Sequence, residues 1–171
     1  MAKPLNFTMA KVNKLSSLRV SDTGVEYTFE VRLQMRMDPG DYLTVGVPLT
    51  GEIDMPDFPL KTCESSTQPN IACTQSVDKT IKVTLSDAVE AGDSFLFTLG
   101  PFTNPVSGRL TGPFRLAAFD RDGYSLAITE PGDPVTEIML AVQMRDPYLI
   151  KEGAILLVNN DIPTAPIVVT I

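Results

Sequence analysis

The chain has 171 residues, 43% of them hydrophobic and 20% charged, with 21 acidic against 14 basic side chains, a net charge of −7 and no histidine. That composition belongs to an ordinary globular chain long enough for a substantial core, which argues against disorder. The scattered lysines and arginines leave no footprint for a phosphate backbone, and the missing histidine removes Ser-His-Asp, Cys-His and every His-ligated metal arrangement.

The first residues, Met1-Ala-Lys-Pro-Leu-Asn, lack the apolar stretch of a signal peptide. No apolar run reaches the roughly 18 to 20 residues that cross a bilayer as a helix. The chain is therefore expected either to stay inside the cell or to be a module of a secreted parent. Asn6-Phe7-Thr8 is a glycosylation sequon, relevant only in the secreted case. A first strand is expected at 16–21, SSLRVS. The next segment decides the fold class. In VEYTFEVRLQMRM, 25–37, the residues Val25, Tyr27, Phe29, Val31, Leu33, Met35 and Met37 alternate without exception with polar or charged ones. Period two means a strand with one buried and one wet face. Wound as a helix, the same residues would spread apolar groups round the whole cylinder. The charged outer positions also discourage pairing with stray chains.

Asp38-Pro39-Gly40-Asp41 supplies a turn, and a strand is expected at 41–47, DYLTVGV. Glu52, Asp54 and Asp57, beside Pro48 and Pro56, read as a solvated acidic loop. Cys63 and Cys73 then bracket the polar stretch ESSTQPNIA and are close enough in sequence to close a small loop. A disulfide is the expected state, with two reduced thiols in a cytosolic loop as the alternative, because such bonds follow redox compartment. Two cysteines without a histidine give only half a tetrahedral zinc site.

Further strands are expected at 80–85, 94–99, 114–119, 124–129, 135–144, 154–158 and 166–171, with turns at Ala91-Gly92-Asp93, Asp122-Gly123 and Pro131-Gly132-Asp133. No amphipathic helix is expected; 86–91 could form one turn at most. Many short strands with Gly/Pro turns point to an all-β chain folded as a two-sheet antiparallel β-sandwich. The sandwich is placed at 1–150, and 151–171 are expected to complete it or to pair with a neighbour. There, Ile167, Val168, Val169 and Ile171 lie in an uncharged terminal strand, a candidate for strand addition to another module or copy. Closure of the chain's own sheet is the alternative.

Asp120-Arg121-Asp122-Gly123 is the one chemically suggestive turn. Two carboxylates around a tight turn open many calcium loops, which makes Asp120 and Asp122 the candidate calcium ligands and calcium the one candidate cofactor. Two carboxylates are not six ligands, however, and the favoured reading is a plain two-residue hairpin turn at Asp122-Gly123. Met35, Met37, Met139 and Met144 read as core gap-fillers before they read as an adaptable binding surface. No glycine pattern supports nucleotide binding. A glycosidase would need only two carboxylates, but the acids lie mostly in turns and there is no tryptophan to stack a sugar.

GVEYTFEV (24–31), DPGDYLTVGVP (38–48), a cysteine-containing loop, DSFLFTL (93–99) and TNPVSGRLTGPF (103–114) together resemble the immunoglobulin-like β-sandwich modules of large surface proteins of protists and algae. The resemblance covers about 15–130, and its most specific part is the Asn104-Pro105 corner followed by Thr111-Gly112. It implies an extracellular or cell-surface structural or adhesive module that is not an enzyme and acts through contacts with other modules or with itself. Two alternatives stand beside that expectation. One is a virion or fibre structural protein with a jelly-roll fold. The other is a calcium-dependent carbohydrate-binding module.

Overall fold

Period two governs the molecule as it does the sequence. The structure, a computed structural model, describes residues 5–48, 53, 60–76, 78–106 and 111–129 and, as backbone alone, 150–151 and 154–155. Twelve strands are described. They are β1 (Leu5–Asn6), β2 (Met9–Leu15), β3 (Val25–Arg32), β4 (Tyr42–Gly46), β5 (Thr62–Ser65), β6 (Ala72–Gln75), β7 (Thr80–Thr84), β8 (Ser94–Phe102), β9 (Arg115–Phe119), β10 (Ser125–Ile128), β11 (Ile150–Lys151) and β12 (Ala154–Ile155).

One sheet runs in the order β1-β10-β9-β4-β7-β6 and the other β2-β3-β8-β5, while β11 and β12 pair with each other. Apart from β1, which runs parallel to β10, all pairings are antiparallel. Four strands ordered β2-β3-β8-β5 opposite β10-β9-β4 reproduce the A-B-E-D and G-F-C order of an immunoglobulin-like sandwich, with β7 and β6 added outside β4, so the fold is that and not a jelly roll.

The alternation in β3 buries Val25, Tyr27, Phe29 and Val31 between the sheets. Phe95, Phe97, Leu99 and Phe102 of β8 join them from the same sheet, and Leu43, Val45, Ile81, Val83, Leu116 and Ala118 close the core from the other. Rings fill its centre. Phe29 stacks on Phe97 across the strand pair at 5.4 Å, and Phe114 sets its ring edge-on to Phe29 at 5.2 Å.

Several expectations need correction. No strand forms at 16–21: the edge strand is β2, and 16–22 is a corner with Leu18 exposed, Val20 buried and Ser21 at φ 57°. β3 ends at Arg32, five residues before the alternation does, because the chain bends toward the 85–93 connection. There Leu33 accepts from the amide of Gly92 and Met37 bridges to Val89, so both residues stay buried. The loop after β9 is not a two-residue hairpin at Asp122-Gly123. The amide of Gly123 donates to Asp120 C=O, so Arg121 and Asp122 are the central residues and Gly123, at φ +88°, takes the left-handed position that follows such a turn. Ala154–Ile155 pairs with Ile150–Lys151, a partner the sequence pattern does not show. The expected strands at 135–144 and 166–171 lie outside the described residues, as do Glu52, Asp54, Asp57, Met139 and Met144.

Candidate interaction surfaces

The Asn104-Pro105 corner is a buried joint. β8 carries the chain to Phe102 and into Asn104, whose side chain is 1% exposed and fully engaged. Its Oδ1 accepts from the Tyr27 hydroxyl at 2.7 Å, and its Nδ2 donates to the carbonyls of Ser17 at 3.1 Å and Arg19 at 2.7 Å. The Asn104 amide donates to Asp22 C=O and the Ser21 amide to Pro105 C=O. The Asn104 side chain and these main-chain bonds together fasten 16–22 to the core in place of a strand ladder, which is why that segment is a corner. Burial pushes the Tyr27 hydroxyl far above its usual range, so it remains a donor.

Cys63 and Cys73 form a disulfide with Cα atoms 6.0 Å apart. Cys63 lies on β5, an edge of the four-stranded sheet, and Cys73 on β6, an edge of the six-stranded one. The bond therefore joins the two sheets along one open side of the sandwich.

The end of the sandwich formed by 33–41, 66–71, 85–93 and 120–124 is knit by main-chain bonds. Asp41, buried, accepts from the Asp38 amide through Oδ2 at 2.8 Å and from the Arg121 amide through Oδ1 at 3.0 Å. Asp120 Oδ1 accepts from the amides of Asp122 at 3.0 Å and Tyr124 at 2.8 Å. These are the bonds of turn residues. Asp120 and Asp122 belong to one turn, as the sequence suggests. Among the described residues, no three acidic or cysteine side chains converge where they could hold a metal ion. The proposed interaction strand, Ile167, Val168, Val169 and Ile171, lies outside the described residues.

The two outer faces differ in kind. On the four-stranded sheet the outward side chains bond one another. Lys11 pairs with Glu30 at 2.9 Å, Ser94 donates to Glu30, and Arg32 donates to Ser94. Thr28 meets Thr98, and Thr62 donates to Glu26. The hydrogen bond from Lys11, strengthened by Ser94 and by the charges of Lys11 and Arg32, holds the Glu30 carboxyl below its usual range against the opposing effect of burial.

On the six-stranded sheet the outward rows are Thr84, Tyr42, Phe119 and Ser125, then Lys82, Thr44, Ala117 and Ile128, then Thr80, Gly46 and Arg115. Lys82 Nζ sits 3.7 Å from the Tyr42 ring centroid, and that ring stacks on Phe119 at 5.2 Å. The Arg115 guanidinium lies flat on Gly46, where a Cβ would meet Nη2 at 2.9 Å. None of the six strands contains an aspartate or glutamate. This face escapes sequence reading because its residues come from six strands whose order is known only once they are paired.

No family model matches the chain, and no curated protein matches it in sequence. Among solved structures, an uncharacterized protein from Nocardia farcinica described as having an immunoglobulin-like fold is similar over 80% of this chain and 97% of its own, at 12% identity and a TM-score of 0.48. The fold assignment rests on the strand order and registers themselves.

Proposed function

We propose that the chain is a non-catalytic structural or adhesive module of a larger surface or extracellular protein, acting through protein–protein contacts on the outer face of its six-stranded sheet. The observation that carries this reading is the contrast between the two faces. On the four-stranded sheet the polar groups are satisfied by one another, whereas the strands of the six-stranded sheet offer an acid-free face with Thr44 and Ala117 beside the Lys82–Tyr42–Phe119 cluster. Tyrosine, phenylalanine and arginine are the residues enriched at such contacts. The disulfide supports an oxidising location. A histidine-free chain supports binding over catalysis. External protease and a membrane-impermeant label applied to intact source cells test the location. The expected result is cleavage and labelling, with Cys63 and Cys73 oxidised in the native material. Protection from both, with reduced thiols, would overturn the reading.

A further inference from the structure

The six-stranded face is complementary to the edge of itself. Among the described residues its only charged side chains, Lys82 and Arg115, are cationic in a chain of net charge −7. Among the described residues Arg115 makes no ion pair. At one end the face runs into the turns 33–41, 66–71, 85–93 and 120–124, which hold seven acids, among them Glu90, Asp93 and Asp122, against Arg36 and Arg121 alone, a local charge of −5. β9 spans this gradient. It begins at Arg115, ends at Phe119 and passes directly into Asp120-Arg121-Asp122. Tyr124, in the same turn, is 72% exposed, and a Cβ on its neighbour Gly123 would lie 3.7 Å from the Tyr42 hydroxyl, which places the turn at the rim of the face.

We propose that this face is the interface of a two-fold dimer of the chain, packed face to face with the β9 strands antiparallel, so that Arg115 of each copy meets the acidic β9–β10 turn of the other. The inference rests on the reading above that this face makes protein contacts, and it names the partner. Charge selects the orientation. Antiparallel packing sets Arg115 against the second copy's Asp122 and Tyr124 twice over, whereas the parallel arrangement would superpose two ends of charge −5. The middle of the face carries Thr44 and Ala117, small enough for two sheets to approach to about 10 Å. Such a self-complementary patch closes on itself and stops at two copies.

The expected affinity is low. Six strands at a spacing of about 4.8 Å and five residues of about 3.3 Å rise make a patch on the order of 400 Å² per copy. That is about half of what a stable pair of proteins buries on each side. The dimer is therefore concentration-dependent, and in the larger parent it would act between modules already held close together, where effective concentration is high.

Sedimentation equilibrium of the oxidised protein, from about 10 µM to about 1 mM, tests the dimer. The wild-type chain should show a monomer–dimer equilibrium. Arg115→Glu and Asp122→Lys should each weaken it at least about tenfold, because each homodimer then opposes like charges twice. An equimolar mixture of the two variants should restore association as a heterodimer, and the double variant R115E/D122K should restore it as a homodimer. If either charge variant loses its fold by circular dichroism, Tyr124→Ser serves in its place and should weaken the dimer similarly. A wild-type chain that stays monomeric throughout, single variants that associate like the wild type, or a mixture that fails to associate each overturn the dimer. Such a failure leaves the surface-module reading standing, because that reading is decided by protease and label on intact cells.

Discussion

Asn104→Ala is the substitution that most directly tests how this sandwich holds its N-terminal corner. It removes the acceptor for the buried Tyr27 hydroxyl and the donor to two main-chain carbonyls, of Ser17 and Arg19. The hydroxyl, on a residue with no exposed surface, then has no partner, at a cost of about 1–3 kcal/mol. The two carbonyls lie at a part-buried corner that water can reach, so their lost bonds add about 1 kcal/mol each at most. The expected destabilisation is about 3 kcal/mol, read by urea unfolding as a lower midpoint with unchanged slope. Melting temperature should fall by about 6–12 °C for a domain of this size. Tyr27→Phe deletes only the hydroxyl and leaves Asn104 Oδ1 unpaired, so it should cost about 1–2 kcal/mol. With the hydroxyl already gone, Asn104→Ala strands nothing at that position. The double variant should therefore cost at least about 1 kcal/mol less than the sum of the singles. Additive effects, or a loss below about 1 kcal/mol for Asn104→Ala, would refute the idea that this side chain fastens the corner.

Alkylation of the folded, non-reduced protein should find no free thiol, and replacing Cys63 and Cys73 by alanine should lower stability by about 2–3 kcal/mol, the entropy of a short closed loop; free thiols in the oxidised native protein would contradict the bridge. Because the Glu30 carboxyl is held below its usual range by Lys11, the stability it adds is present above its unfolded pKa of about 4.3 and is lost as pH falls through the depressed folded value. Glu30→Gln should therefore be less stable than wild type at neutral pH and converge with it in acid, whereas a pH-independent gap would show that the Lys11 pairing contributes nothing. Asp120→Ala removes the carboxylate oxygen that accepts from two amides at an exposed turn and should cost about 1 kcal/mol with or without calcium. A large calcium-dependent rise in the wild-type melting temperature would instead make Asp120 and Asp122 metal ligands.

The parts of the fold legible in the sequence are those where one strand states its own environment. β3 alternates for its full length because both of its neighbours, β2 and β8, are in the same sheet and its inner face meets the core. β4, β7, β9 and β10 were visible for the same reason. β2 was not, since a register shift between Val12 and Lys14 breaks its period and three lysine or asparagine residues occupy an edge with one neighbour. β5 and β6 hide inside a stretch rich in serine, threonine and glutamine, because an edge strand of four residues needs little apolar content when a disulfide ties it down. β1 is two residues long, and its pairing with β10 spans more than a hundred residues of chain.

Legibility of the surfaces follows a different rule. The Asn104-Pro105 corner stood out in sequence because its composition is unusual, but its role depends on a hydroxyl 77 residues away and on carbonyls 85 and 87 residues away. No local pattern encodes such partners. The absence of acids from the six-stranded sheet is more hidden still, since each strand taken alone has a blameless composition and the bias emerges only when β1, β10, β9, β4, β7 and β6 lie side by side. Among the described residues no acid lies on a strand of the six-stranded sheet, while Glu26, Glu30 and Glu64 lace the other, so charge is segregated by face. The turns carry acidic charge at the rim, at 38–41, 87–93 and 120–122, which in the proposed dimer repels copies approaching in the wrong orientation. In that proposed dimer the same distribution that keeps like ends apart lets Arg115 of one copy find the acidic turn of another.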